Sequence, residues 1–229
     1  MHELSESEAT TFAQDGALRL RGRLDASALQ RLEDAIAGLP PDQPGIRLRG
    51  LAALQLFLAS SGPVWQVAAA VLGDAARPVR AILFDKTART NWALPWHQDR
   101  TIVVTDGVEF EGFGPWTVKS GLLHVAPPFE VLAGMVTLRV HLDAVPDTNA
   151  PLLVAPDSHR LGRIAESDLR AVIQTCGTAV CLADAGDIWL CATPIVHASE
   201  AARVPAHRRV LQVDFAAHDL PGGLAWLGI

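Results

Sequence analysis

Lysine is nearly missing from this chain: of its 229 residues only Lys86 and Lys119 are lysines, and the other basic residues are arginines. Scarcity on this scale marks each lysine for a specific role. Acids outnumber bases, 25 to 19, for a net charge of −6, and no segment gathers enough Lys or Arg to track a phosphate backbone. No nucleic-acid partner is therefore expected. No apolar run approaches the roughly 18 residues that span a bilayer, so no membrane partner is expected either. Met1 to Thr10 carries Glu3, Glu6 and Glu8 and no apolar h-region, which argues against a secretory signal. The three cysteines, Cys176, Cys181 and Cys191, are odd in number, form no C-x-x-C pair and sit among apolar neighbours. They read as reduced and buried, and a cytoplasmic location follows. There is no G-x-G-x-x-G, no strand–helix alternation, no repeat and no low-complexity linker, which disfavours a dinucleotide-binding fold.

What is present is globular in composition, 49% hydrophobic and 19% charged,. One domain is expected over 1–229, with a mainly helical lead-in over 1–78, a β-rich core over 79–216 and a tail over 217–229. In the lead-in, Ser5 to Glu8 reads as a helix start and Ala17 to Arg21 as a short strand. Asp25 reads as the cap of a helix with apolar face Leu29, Leu32, Ile36 and Leu39, ending at Gly38 to Pro41. A further helix runs from Pro63 to Leu72, closed by Gly73. Short strands follow at 79–84, 101–104, 136–142, 152–154, 178–182, 187–190 and 210–215, separated by turn residues. This pattern predicts a mainly β fold with flanking helices, a jelly-roll or cupin-like core behind a helical N-terminal region.

The informative segment is Asn91 to Asp99, which contains His97-Gln98-Asp99. Residues two apart on an extended strand share a face. One imidazole and one carboxylate then need a second histidine to complete a facial triad that leaves metal positions open. His141-Leu142-Asp143 is the competing copy. It ends an alternating strand before Pro146, where its polar residues read as partners of arginine or backbone groups. Among His124, His159, His197 and His207, the setting favours His197, in an apolar β segment running from a Gly-Asp turn and followed by Ala198 and Ser199. Arg208, eleven residues on, or its neighbour Arg209, supplies a guanidinium suited to a carboxylate.

These residues resemble the phytanoyl-CoA dioxygenase-like family of Fe(II)/2-oxoglutarate-dependent oxygenases, which includes the ectoine hydroxylases. The matching pieces are His97-Gln98-Asp99, the stretch from Asn149 through Pro156-Asp157-Ser158-His159, His197-Ala198-Ser199 followed by Arg208, and the opening Phe12 to Gly16. The resemblance implies a double-stranded β-helix, Fe(II) on His97, Asp99 and His197, and 2-oxoglutarate as co-substrate. It implies that Arg208, with Arg209 as the second choice, takes the distal carboxylate beside Ser199, and that Lys86 is a co-substrate lysine. Asn149-Ala150-Pro151 departs from the family's Asn-Gly turn without touching the proposed ligands. With Asp99 present, where related halogenases carry a small residue, hydroxylation of a small organic substrate by molecular oxygen is the expected outcome.

Asn91 and Gln98 are candidates to orient the two histidines. Trp96, Trp116 and Asn91 are substrate-pocket candidates, with Trp92, Phe110 and Phe113 as further aromatics nearby. Residues 106–121, rich in glycine, read as a loop or lid. Two other classes fit the same pattern, a cupin-like metal enzyme without 2-oxoglutarate and a non-catalytic jelly-roll binding module. The sequence does not name the substrate; the net negative charge places a CoA ester behind other guesses.

Overall fold

The structure, a computed structural model, describes residues 4–41 and 43–229. Glu3, part of the N-terminal reading, lies outside the described residues. Ser5 opens α1 (Glu6–Asp15) with a reciprocal cap: its hydroxyl accepts from Glu8 N, and the Glu8 carboxylate accepts from Ser5 N at 2.8 Å,. Gly16 ends the helix at φ +70°, and a Cβ there would lie 2.3 Å from His159 Nδ1. Only glycine meets both demands, which gives a physical reason for the Phe12 to Gly16 motif. β1 (Ala17–Leu20) follows, and Asp25 caps α2 (Ala26–Ile36), which buries Ala28, Leu32 and Ile36. Then come β2 (Ile46–Leu48), α3 (Ala52–Phe57) and α4 (Pro63–Leu72).

The remaining elements are β3 (Arg77–Lys86), β4 (Leu94–His97), β5 (Ile102–Val103), β6 (Trp116–Lys119), β7 (Leu122–Val125), α5 (Phe129–Ala133), β8 (Met135–His141), β9 (Leu152–Val154), α6 (Leu169–Cys176), β10 (Ala179–Cys181), β11 (Ile188–Ala192), β12 (His197–Ser199) and β13 (Arg208–Ala216). Strand pairing is antiparallel throughout. The major sheet runs β1-β11-β8-β13-β3-β2, the minor sheet β10-β9-β12-β4, and β5-β7-β6 form a third. This is a jelly-roll core with flanking helices.

Alternation along the central strands assigns the two faces of the major sheet. Leu211, Val213 and Phe215 of β13, with Val136, Leu138 and Val140 of β8, pack in one apolar cluster with Leu32, Leu54, Leu58 and Val64 of the helical region. The intervening residues, Arg208, Gln212, Thr137 and Arg139, turn to the other side and face the minor sheet across a cavity. A sheet face that polar, in the middle of a fold, marks where the chemistry sits.

Several boundaries differ from the sequence expectation. The lead-in holds a second strand besides the expected one at Ala17: β1 and the unexpected β2 form the two edges of the major sheet. The segment from Asp187 to Ser199 is two strands: β11 lies in the major sheet, and the chain crosses at Thr193 to Val196 to enter the minor sheet as β12. Residues 217–229 close onto the third sheet, with Thr105 N donating to Ala225 O and Leu227 N to Val103 O. His97 ends β4, and Asp99 lies just beyond it. Pro95 is tolerated inside β4 because that strand is a sheet edge,.

Candidate metal centre

In the pairing of β12 with β4, His197 stands directly opposite His97, and the ring centroids are 4.3 Å apart. Asp99 joins them, so that one ligand atom from each of the three lies within 4.8 Å of the others. Among the described residues no second group of this kind exists. His97 Nδ1 meets Pro95 O at 2.8 Å, and His197 Nδ1 meets Ile195 O at 2.9 Å. A carbonyl only accepts, so each Nδ1 carries the proton and each Nε2 keeps its lone pair for a metal. Burial, with His97 and Arg139 adding to it, lowers His197 to about 4 against the pull of Asp99. The imidazole is thus neutral near pH 7, as a ligand must be.

Asp99 is held from behind. Arg80 Nη2 donates to Asp99 Oδ2 at 3.2 Å while Arg80 Nε donates to Asp214, which also accepts from Thr137 Oγ1 at 2.9 Å. Burial raises the Asp99 carboxyl, but Arg80 and the two histidines outweigh it and leave it below the usual range, an ionised carboxylate suited to a metal,.

The triad opens on a cavity of about 800 Å3. Three buried cations line the same cavity: Lys86, Arg139 and Arg208. Among the described residues none of the three makes an ion pair. Arg208 Nη1 donates to Ala150 O, and Arg139 Nη1 to Gln212 Oε1 at 2.7 Å, while the Nε of each guanidinium has no partner. Burial and the neighbouring Arg139 lower Arg208 to about 9; burial, Arg208 and Arg139 lower Lys86 to about 7. Uncompensated cations this deep are costly, and a dianion binding among them removes that cost. The residues therefore fit both groups, a divalent metal on the triad and a dicarboxylate against the guanidinium groups.

The two adjacent arginines part company here. Arg208 turns inward, while Arg209 turns outward to Asp143 at 2.7 Å and Glu33 at 2.8 Å. That pairing also splits the second H-x-D: Asp143 serves Arg209, and His141 is buried with neither ring nitrogen partnered. Ser199 lines the cavity and accepts from Lys86 Nζ at 3.1 Å; the same Nζ donates to Trp92 O at 2.7 Å and Glu200 O at 3.1 Å. With its N–H groups so engaged, Lys86 acts on the cavity by fixing Ser199.

Trp96 and Trp92 line the cavity, but the other aromatic candidates do not. Trp116 packs with Val125, Phe113 and Leu123 in a separate apolar cluster on the third sheet. Asn91 is likewise outside, exchanging hydrogen bonds with the Ala202 backbone at 2.6 and 3.0 Å. Gln98 donates to Pro194 O at 2.9 Å and accepts from Ile164 N at 2.9 Å. Neither amide touches a histidine; backbone carbonyls orient both rings instead. Residues 106–121 are loop only in their first part, since Trp116–Lys119 pairs as β6. All three cysteines are free, with Cys181 and Cys191 buried and Cys191 pushed up to about 12, chiefly by burial. Sequence reasoning passed over Arg80 and Arg139. On β8 the available signal was the alternation of polar Thr137, Arg139 and His141 with apolar Val136, Leu138 and Val140; β3 shows no such alternation around Arg80.

Fold and site together define a double-stranded β-helix protein with a candidate facial-triad metal centre. The sequence profile of phytanoyl-CoA dioxygenase (PhyH) matches residues 12–210. The chain belongs to the phytanoyl-CoA dioxygenase family and is an Fe(II)- and 2-oxoglutarate-dependent oxygenase. No curated protein sequence matches it. Among solved structures, EctD from S. alaskensis with 2-oxoglutarate and 5-hydroxyectoine is 20% identical, covering 93% of this chain and 76% of that one at a TM-score of 0.68. HygX from Streptomyces hygroscopicus with nickel, 2-oxoglutarate and hygromycin B is 14% identical, covering 93% and 87% at 0.64. AviO1 from Streptomyces viridochromogenes Tue57 is 18% identical, covering 97% and 99% at 0.67. At these identities the likeness is one of fold.

Proposed function

We propose that His97, Asp99 and His197 hold one Fe(II), that Arg208 and Ser199 receive the distal carboxylate of 2-oxoglutarate, and that the chain hydroxylates a small organic substrate. One observation carries this reading: a His-Asp-His cluster and a set of buried, unpaired guanidinium groups line the same cavity. When bound, Fe(II) and 2-oxoglutarate supply oxygen activation, the keto acid being decarboxylated to succinate and CO2.

The chain's own contribution is positional and electrostatic. Pro95 and Ile195 carbonyls keep the histidine Nε2 atoms aimed at the metal position, and Arg80 keeps Asp99 ionised and in place. Arg208 offers a planar, bidentate guanidinium, cationic at neutral pH, to the distal carboxylate, and Arg139 adds a second guanidinium on the same wall,. Trp92 and Trp96 supply apolar surface at the cavity wall that limits water near the reacting groups,. A cytoplasmic location suits this reading, since the cysteines are free and a reducing compartment keeps iron ferrous.

The test separates metal from co-substrate. By equilibrium dialysis the wild-type protein should bind one Fe(II) per chain under anaerobic conditions, and His197→Ala should lose most of that binding. Arg208→Ala should keep the metal but weaken 2-oxoglutarate about a hundredfold, the scale of removing one partner from a buried charge pair. Wild-type affinity for 2-oxoglutarate in Arg208→Ala would remove Arg208 from the assignment.

A further inference from the structure

Charge is distributed around the cavity against the sign of the whole molecule. Seven of the 19 Lys and Arg residues line it, both lysines included, against two of the 25 acids. The inner cations already have an occupant in the co-substrate, and Arg80 is matched by Asp99 and Asp214. Three basic groups on the wall formed by β2, β6 and β7 remain: Arg47, Lys119 and His124.

Their placement follows from strand register. His124 on β7 stands opposite Thr117 of β6, so Lys119, two residues further along, shares that face,. Arg47 Nη1 donates to Ser120 Oγ at 2.9 Å, which ties β2 to the turn between β6 and β7 and brings the guanidinium to the same wall. Arg47 Nε is buried without a partner. His124 is 1% exposed, and its Nδ1 donates to Leu122 O at 3.0 Å, so Nε2 is the nitrogen that takes up a proton when the ring donates to an anion,. Neither cavity acid is available to these groups: Asp99 is held by Arg80, and Glu166 stands 3.8 Å from Arg100. Among the described residues neither Arg47 nor Lys119 makes an ion pair.

We infer that Arg47, Lys119 and His124 form an anion subsite for the primary substrate, which is therefore a small molecule carrying a carboxylate or a phosphate. This rests on the reading of the triad and Arg208 given above, because the inner cations must be taken by 2-oxoglutarate for the outer ones to select the second molecule. Mutual electrostatics agrees with the grouping. Burial first, then Arg80, Lys119 and Arg47, lower His124 against its backbone hydrogen bond, and burial with Arg80 lowers Arg47. A bound anion relieves that repulsion.

The experiment uses the Zn(II)-loaded protein with saturating 2-oxoglutarate, titrated with inorganic phosphate and separately with acetate, at constant ionic strength in chloride. The His124 ring resonances are followed by NMR. A saturable shift is expected, and the anion that binds more tightly assigns the head group. Arg47→Gln and the exposed Lys119→Gln should each weaken that anion about tenfold or more while 2-oxoglutarate still binds. If His124 is unmoved by either anion, or moves equally in the variants, with 2-oxoglutarate bound throughout, the subsite is overturned and the metal and co-substrate assignment stands. If the wild-type protein does not bind 2-oxoglutarate, both fall.

Discussion

Arg80 is the residue on which the geometry of the candidate metal centre turns, because it joins Asp99, a proposed ligand, to a fully buried second carboxylate, Asp214. Replacing it with methionine keeps the volume and removes the charge. Arg80→Met should cost about 3–5 kcal/mol, the usual penalty for stranding a buried charge, and lower Tm by about 10 °C. Zn(II) should recover part of the loss by neutralising Asp99 and binding only the folded state. A melting temperature within about 2 °C of wild type would remove Arg80 from this role. His97, Asp99, His197 and Arg208 were legible in the sequence because their types, order and spacing carry the signal themselves. Arg80 and Arg139 were not, since an arginine on a strand shows which way it points only when the neighbouring strands are known. Trp116 misled for the complementary reason: aromatic residues near a motif in sequence pack wherever an apolar cluster forms, here on the third sheet.

Among the elements, the ones read correctly carry their own punctuation. Ser5 with Glu8, Asp25, and the Pro63–Gly73 pair each mark a helix end by local chemistry. The helices α3 and α5, six and five residues long and without a side-chain cap, have no such mark; they exist through packing. Strand β1 depends on a partner some 170 residues away, so no local pattern reveals its place in the sheet. Its junction is secured by Asp187, which accepts from Arg19 Nε at 2.7 Å, Gly22 N at 2.8 Å and Asp184 N at 2.9 Å. Burial raises this carboxyl, but the Asp184 and Gly22 N–H groups and Arg19 together depress it below its ordinary value. A depressed carboxyl contributes stability that is present above its unfolded value, about 3.9, and is lost as pH falls through the folded one. Asp187→Asn should therefore cost about 2 kcal/mol at neutral pH. The gap from wild type in urea unfolding should narrow as the pH is lowered from about 5 toward 3. A gap that stays constant over that range contradicts a charge-based role for Asp187.

For the whole molecule, the fold sorts residues by face: helices cover the apolar side of the major sheet, and the polar side meets the minor sheet around the metal centre. A net charge of −6 gives no hint that the cavity is basic, because the cations converge there only when β2, β3, β6, β8 and β13 are assembled. The proposed function requires one cavity to hold Fe(II) and 2-oxoglutarate together, on His97, Asp99, His197 and Arg208. Its most direct test is to add Fe(II) and then 2-oxoglutarate to the metal-free protein without oxygen, watching for the weak visible charge-transfer band of a chelated keto acid. The band is expected in wild type, absent in His197→Ala, and sharply weaker at equal 2-oxoglutarate concentration in Arg208→Ala. Iron binding without any band in the wild-type protein would contradict the proposed function.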